Sequence, residues 1–109
     1  MWTSEQVKNV IESNTLVIFG KGTKFEPMCG FTHRAIEIYN TLGKPFEVVN
    51  IFEDESIRGA LTGHTNWPTT PQCFVAGELL GGSDIVDEML NSGDLQKKVD
   101  AAFAGAESN

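Results

Sequence analysis

Cys29 stands between Pro27-Met28 and Gly30-Phe31-Thr32, after a short apolar run and a loop of Gly, Lys and Pro. A thiol at the start of a helix faces unpaired N–H donors and the positive end of the helix dipole, and both favour thiolate. Lys21, on the preceding loop, is a candidate cation beside it. Position 32 is Thr, so there is no Cys-x-x-Cys pair, and the other cysteine lies inside the apolar run Cys73-Phe74-Val75. Cys73 reads as a core residue, with a resolving thiol as the second reading.

Other groups could serve a ligand beside that sulfur. Thr70-Pro71 enters a strand through a proline, which suggests a constrained turn and a cis peptide. Beside the cysteine, the backbone of Thr70 would be open to an extended ligand, as an edge strand is to a peptide. Gly81-Gly82-Ser83-Asp84 at a helix start offers backbone N–H groups to a carboxylate and the Asp84 side chain to an amine. Arg58 and Lys21 could each hold a further carboxylate. The set suits a small zwitterionic peptide with two carboxylates and one α-amine. His33 follows Cys29 at i+4, a spacing that can pair metal ligands, but a lone pair reads better as an exposed helical histidine. His64 has no partner that suggests a role, and Trp67 reads as packing or as a loop anchor.

The positioning elements follow from hydrophobic period and punctuation. Ser4 is expected to cap a helix with Val7, Val10 and Ile11 on one face, closed by Asn14. Leu16 to Phe19 is a continuous apolar strand, as expected where both sides are covered. Gly20 to Met28 reads as loop, 30–42 as helix stopped by Gly43, 46–51 as strand, and 55–61 as a short helix ended by Gly63. Two prolines bar 66–71 from helix and central strand. Two runs, 72–75 and 78–80, flank Ala76-Gly77 as a hairpin. Ser83 or Asp84 then caps a helix, and Asn91 to Asp94 breaks and restarts the last one. The first two strands, joined through a helix, must be parallel and right-handed, and the last two form an antiparallel hairpin. The expectation is an α/β, thioredoxin-like fold, a four-stranded mixed sheet with helices on both faces. It forms one domain, 1–109, with a loose tail from about 105.

Composition narrows the partners. The chain of 109 residues carries a net charge of −7, so no nucleic acid and no anionic membrane surface is expected. No apolar run nears the roughly 20 residues of a membrane span. The start Met1-Trp2-Thr3-Ser4-Glu5 has no basic flank or apolar stretch, so no secretory signal is expected. Two cysteines are too few for a disulfide scaffold, which suggests a reducing compartment.

Taken together, Lys21-Gly22-Thr23, Pro27 to Thr32, Ile57-Arg58, Asn66 to Gln72 and Gly81 to Val86 resemble the monothiol glutaredoxins, the single-domain class with a Cys-Gly-Phe-Ser signature. The resemblance covers roughly Glu5 to Val99. It implies a glutathione-binding fold that carries a [2Fe-2S] cluster between the cysteines of two protomers and two glutathione thiols. Carried across, Cys29 would be the iron ligand and the catalytic thiol. Lys21, Arg58, Thr70, Ser83 and Asp84 would hold glutathione, with Pro71 as the cis-proline. The implied function is cluster transfer to apo iron–sulfur proteins, as a homodimer when loaded and a monomer when not. The compartment would be mitochondrial matrix, bacterial cytoplasm or plastid. The second reading is a monothiol oxidoreductase with weak deglutathionylating activity. Three residues depart from the family pattern. Thr32 replaces a serine, Ser83 replaces a cysteine and so leaves Cys29 no disulfide partner there, and Gly20 replaces a larger apolar residue, which is expected to loosen the loop.

Overall fold

The computed structural model describes residues 1–107, which form α1 (Ser4–Ser13), β1 (Leu16–Gly20), α2 (Gly30–Asn40), β2 (Glu47–Asn50), α3 (Ser56–Thr65), β3 (Gln72–Val75), β4 (Glu78–Gly81), α4 (Ser83–Ser92) and α5 (Asp94–Glu107). The strands lie in the order β2-β1-β3-β4. β1 pairs with β2 in parallel and with β3 antiparallel, and β3 pairs with β4 antiparallel. This is the expected thioredoxin-like sheet. Because strand side chains alternate, β1 serves two cores. Leu16 and Ile18 join Cys73, Ile38, Tyr39, Val86, Leu95 and Val99 under α2, α4 and α5. Val17 and Phe19 join Val7, Ile11, Ile57, Leu61 and Phe74 under α1 and α3. Burying each such large side chain stabilises by about 1.5–3 kcal/mol, so the central strand is held firmly from both faces.

Local chemistry explains most boundaries. Thr3, rather than Ser4, caps α1: Gln6 N–H donates to Thr3 Oγ1 at 3.2 Å and Thr3 N–H to Gln6 Oε1 at 2.8 Å. Gln6 sits three residues after Thr3, so the two close a reciprocal capping box. Ser4 instead donates its hydroxyl to Ala60 O at 3.3 Å, tying α1 to α3. Gly63 does not end α3. The helix continues to Thr65 and stops at Asn66, whose φ of 58° is left-handed. Gly63 is the close-approach point between helices: a Cβ there would lie 2.7 Å from Ser4 Oγ. Ala76 and Gly77 have φ of 50° and 84°, as a two-residue hairpin turn requires. α5 runs past Gly105 to Glu107, further than the composition of the tail suggests. Residues 108–109 of that tail lie outside the described residues. Among the described residues no helix is long and apolar enough to cross a membrane.

Candidate functional site

The register gathers the chemistry at one edge of the sheet. Gly20 pairs with Asn50, Phe19 with Gln72, and Cys73 with Gly81, so β1, β2 and β4 end where β3 begins. The segments leaving or entering at that edge carry Lys21 and Cys29, Arg58, Thr70-Pro71, and Ser83-Asp84 in turn. These residues are far apart in sequence and meet only because the parallel and antiparallel pairings place four chain ends together.

Two adjoining hollows of about 380 Å³ each result. One is lined by Lys21, Cys29, Phe31, Arg58, Pro68, Thr69 and Thr70. The other is lined by Phe31, Thr69, Thr70, Pro71, Gly82, Ser83 and Asp84. Phe31, Thr69 and Thr70 belong to both, so the hollows form one groove with Cys29 toward one end and the α4 start at the other. The seven residues assigned to the thiol and its ligand from the sequence, Lys21, Cys29, Arg58, Thr70, Pro71, Ser83 and Asp84, all line it. A smaller hollow of about 140 Å³ at the opposite sheet edge, between Ser13–Leu16 and Pro45–Glu47, has no thiol or cation in its lining and is not a competing site.

Cys29 is the N-cap residue of α2, with extended backbone at φ −152° and ψ 137°. Its Sγ closes no capping hydrogen bond of ordinary geometry, so the helix-start amides act on it as oriented dipoles. The Thr32 backbone N–H has the largest effect and brings the thiol below its ordinary value. Slight burial opposes this, while the Phe31 amide, the Thr32 hydroxyl and the Lys21 charge add to it. The sulfur is half-buried; Cys73 is fully buried, and burial pushes its thiol up to about 12. Cys73 faces the core under α2 and is not available as a resolving thiol in the folded chain.

The remaining groups are arranged for a small charged ligand. Among the described residues neither the Lys21 ammonium nor the Arg58 guanidinium has an ion-pair partner. The Thr70–Pro71 peptide is cis. At the far end, Gly82 is the N-cap of α4 and supplies no side-chain cap, which leaves the first-turn amides open. Ser83 is buried beneath that turn and Asp84 is exposed on it. His33, His64 and Trp67 line neither hollow. His33 and His64 are exposed, and among the described residues no group of three His, Cys, Asp or Glu side chains gathers as a metal site.

Three supporting residues carried no assigned role in the sequence. Thr32, fully buried, accepts the Lys21 N–H at 3.1 Å through Oγ1. Asn50 Oδ1 accepts the N–H groups of Gly22 and Phe52, both at 2.9 Å, pinning the Lys21 turn to the end of β2. Gln72, fully buried, donates from Nε2 to Trp67 O at 2.7 Å and Thr69 O at 3.1 Å, holding the segment that forms the groove floor. Among the described residues its Oε1 has no hydrogen-bond partner. Polarity next to an apolar strand was the only local signal for Gln72, and Asn50 had none. Gly20 does not loosen the loop: it is the buried last residue of β1, and a Cβ on it would fall 2.7 Å from Thr32 Cγ2.

Comparison with known proteins agrees with this geometry. The glutaredoxin family profile matches residues 16–80. An uncharacterized monothiol glutaredoxin ycf64-like of Synechocystis sp. is 40% identical over 102 residues, covering 94% of this chain and 95% of its own. A probable monothiol glutaredoxin 2 of Rickettsia felis is 43% identical, covering 85% of this chain and 89% of its own. The solution structure of reduced poplar apo GrxS14 superposes with a TM-score of 0.80 at 42% identity, covering 92% of each chain. A buckwheat glutaredoxin–glutathione complex superposes with a TM-score of 0.81 at 26% identity, covering 93% of this chain and 90% of that one.

Proposed function

The chain belongs to the glutaredoxin family, with monothiol glutaredoxins among its relatives, and on that premise we propose that it is a glutathione-dependent carrier of [2Fe-2S] clusters. The observation that carries this reading is a single half-exposed, thiolate-favouring cysteine at one end of a groove whose two cations have no ion-pair partner among the described residues. Glutathione would lie along that groove. Its carboxylates would meet Lys21, Arg58 and the open amides at the start of α4. Its amine would meet Asp84, its backbone would pair with Thr70 beside Pro71, and its thiol would lie next to Cys29.

The donor set supports the stoichiometry that the family resemblance implies. Iron–sulfur clusters of this size take four thiolates. Among the described residues one chain offers one accessible thiol, which is consistent with a set of four made by two copies and two glutathiones. In this reading the cluster is cargo. Half of its ligands are exchangeable small molecules, and displacing one opens it to a cysteine of an apo iron–sulfur protein. The loaded form is a homodimer and the unloaded form a monomer. The working compartment is a reducing one, of bacterial cytoplasm, mitochondrial matrix or plastid type, because Cys29 must stay a free thiol.

The same thiolate also suits weak deglutathionylation. Cys29 would attack the glutathionyl sulfur of a mixed disulfide and release the protein thiol. A second glutathione would then release Cys29 with formation of glutathione disulfide. Anaerobic reconstitution with iron, sulfide and glutathione separates the two. A coloured dimer that is lost in Cys29→Ser, or without glutathione, is expected. A colourless monomer with brisk deglutathionylating turnover would overturn the carrier reading.

A further inference from the structure

We propose that Gly20 and Thr32 work as one positioning couple: the Thr32 methyl fills the volume a side chain at 20 would need, and the hydroxyl wedged beside it fixes the Lys21 main chain in the groove wall. A Cβ built on Gly20 would lie 2.7 Å from Thr32 Cγ2, 2.9 Å from Oγ1 and 3.3 Å from Cβ. The first two are closer than side chains tolerate. Gly20 is not among the glycines with positive φ, so its backbone is one that any residue adopts and the requirement is for space alone.

Thr32 cannot yield that space cheaply. It is fully buried, it is β-branched and therefore stiff about χ1, and its Oγ1 is committed to the Lys21 N–H at 3.1 Å. Lys21 is the next residue after Gly20, so a push on Thr32 is delivered to the chain that carries the cation. Its carbonyl in turn accepts the Met28 N–H at 2.8 Å, which ties the same turn to the segment entering Cys29. The two departures noted at positions 20 and 32 are thus one exchange of volume across a single contact. Each side chain is explained by the other.

The consequence for ligand binding rests on the glutathione groove proposed above, whereas the couple itself does not. Full-length Gly20→Ala, Thr32→Ser, Thr32→Val and the double variant Gly20→Ala/Thr32→Ser are compared by two readouts. Hydrogen exchange of the Lys21 amide reads the couple directly, and calorimetric titration with glutathione reads the groove. Thr32→Val keeps the shape and removes the acceptor. It should abolish protection of the Lys21 amide and weaken glutathione binding by about five- to tenfold. Gly20→Ala should weaken binding by about tenfold through overpacking. Adding Thr32→Ser should bring it back to within about threefold, short of full rescue because Oγ1 also crowds the new methyl. A destabilising effect of Gly20→Ala that arises away from this contact would not be relieved by truncating Thr32. Wild-type affinity and a protected Lys21 amide in Gly20→Ala, or no recovery in the double variant, would overturn the couple. If the wild type binds no glutathione, the groove reading fails, and the exchange pattern decides the couple by itself.

Discussion

Replacing Gln72 by Glu tests whether the floor of the groove is held by a buried donor. The Gln72 side chain is fully buried and Nε2 donates to Trp67 O and Thr69 O. Gln72→Glu keeps the shape and turns that donor into a carboxyl facing two carbonyl oxygens. Burial without a cation raises a carboxyl's pKa by up to about 3–5 units above its usual value near 4.3. The folded protein then keeps a proton that the unfolded chain has released, so stability falls as pH rises above about 4.3. At pH 5 that loss is about 1 kcal/mol, and at pH 7 about 3.7 kcal/mol if the folded pKa exceeds 7. The protonated carboxyl can donate only one of the two original hydrogen bonds, which adds about 1 kcal/mol at both. The expected total is about 2 kcal/mol at pH 5 and about 4–5 kcal/mol at pH 7, a large share of the stability of a small domain. Gln72→Met is the control: it loses both bonds, about 2 kcal/mol, and the loss does not depend on pH. Urea melts of the three proteins at pH 5, 6 and 7 measure this. A Gln72→Glu curve parallel to the wild type across that range would refute the assigned environment of the side chain.

Alkylation should modify Cys29 alone in the native protein, with a reactivity midpoint below the ordinary 9.0, while Cys73 reacts only on unfolding. Because Cys73 is pushed up to about 12, the folded chain holds a proton between 9.0 and that value that the unfolded chain releases. Stability of the wild type should therefore fall in this window by up to about 1.4 kcal/mol per pH unit relative to Cys73→Ala. Urea melts at pH 8.5 and 10 check the difference. Tyr39 donates its hydroxyl to Phe74 O at 3.0 Å inside the core, so Tyr39→Phe should cost about 1–2 kcal/mol in a thermal or urea melt. Gly22 has φ +97°, and a Cβ there would lie 2.5 Å from both Glu26 O and Met28 N. Gly22→Ala should cost about 1–3 kcal/mol and change the alkylation rate of Cys29, since the displaced turn leads into it. An unchanged rate would contradict the tie between that turn and the thiol.

What could be read from the sequence was what neighbours along the chain determine. The apolar run 16–19, the Ala76-Gly77 turn and the helix break within 91–94 are local patterns with local causes, and each stands in the structure. Cys29 at a helix start is local too, because the dipole and amides that act on it come from its own next residues. The cis Thr70–Pro71 peptide was legible because only proline makes that geometry common. The helix boundaries that moved did so for tertiary reasons or for a cap one residue away. α3 runs through Gly63 because α1 packs there, and Asn66 supplies the left-handed residue instead.

The sequence by itself determined the elements, their faces and the single reactive thiol, since 3.6- and 2-residue periods and turn chemistry act over a few residues. Only the tertiary structure decided that Lys21, Cys29, Arg58, Thr70, Ser83 and Asp84 line one groove, because strand register brings the ends of four strands to one edge. It also decided what holds that groove. Thr32 reaches Lys21 across 11 residues and Asn50 reaches Gly22 across 28, through hydrogen bonds that no local pattern announces. Gly20 and Thr32 looked like two unrelated substitutions in the sequence. They touch only because β1 and the start of α2 pack face to face, and that contact makes them one feature.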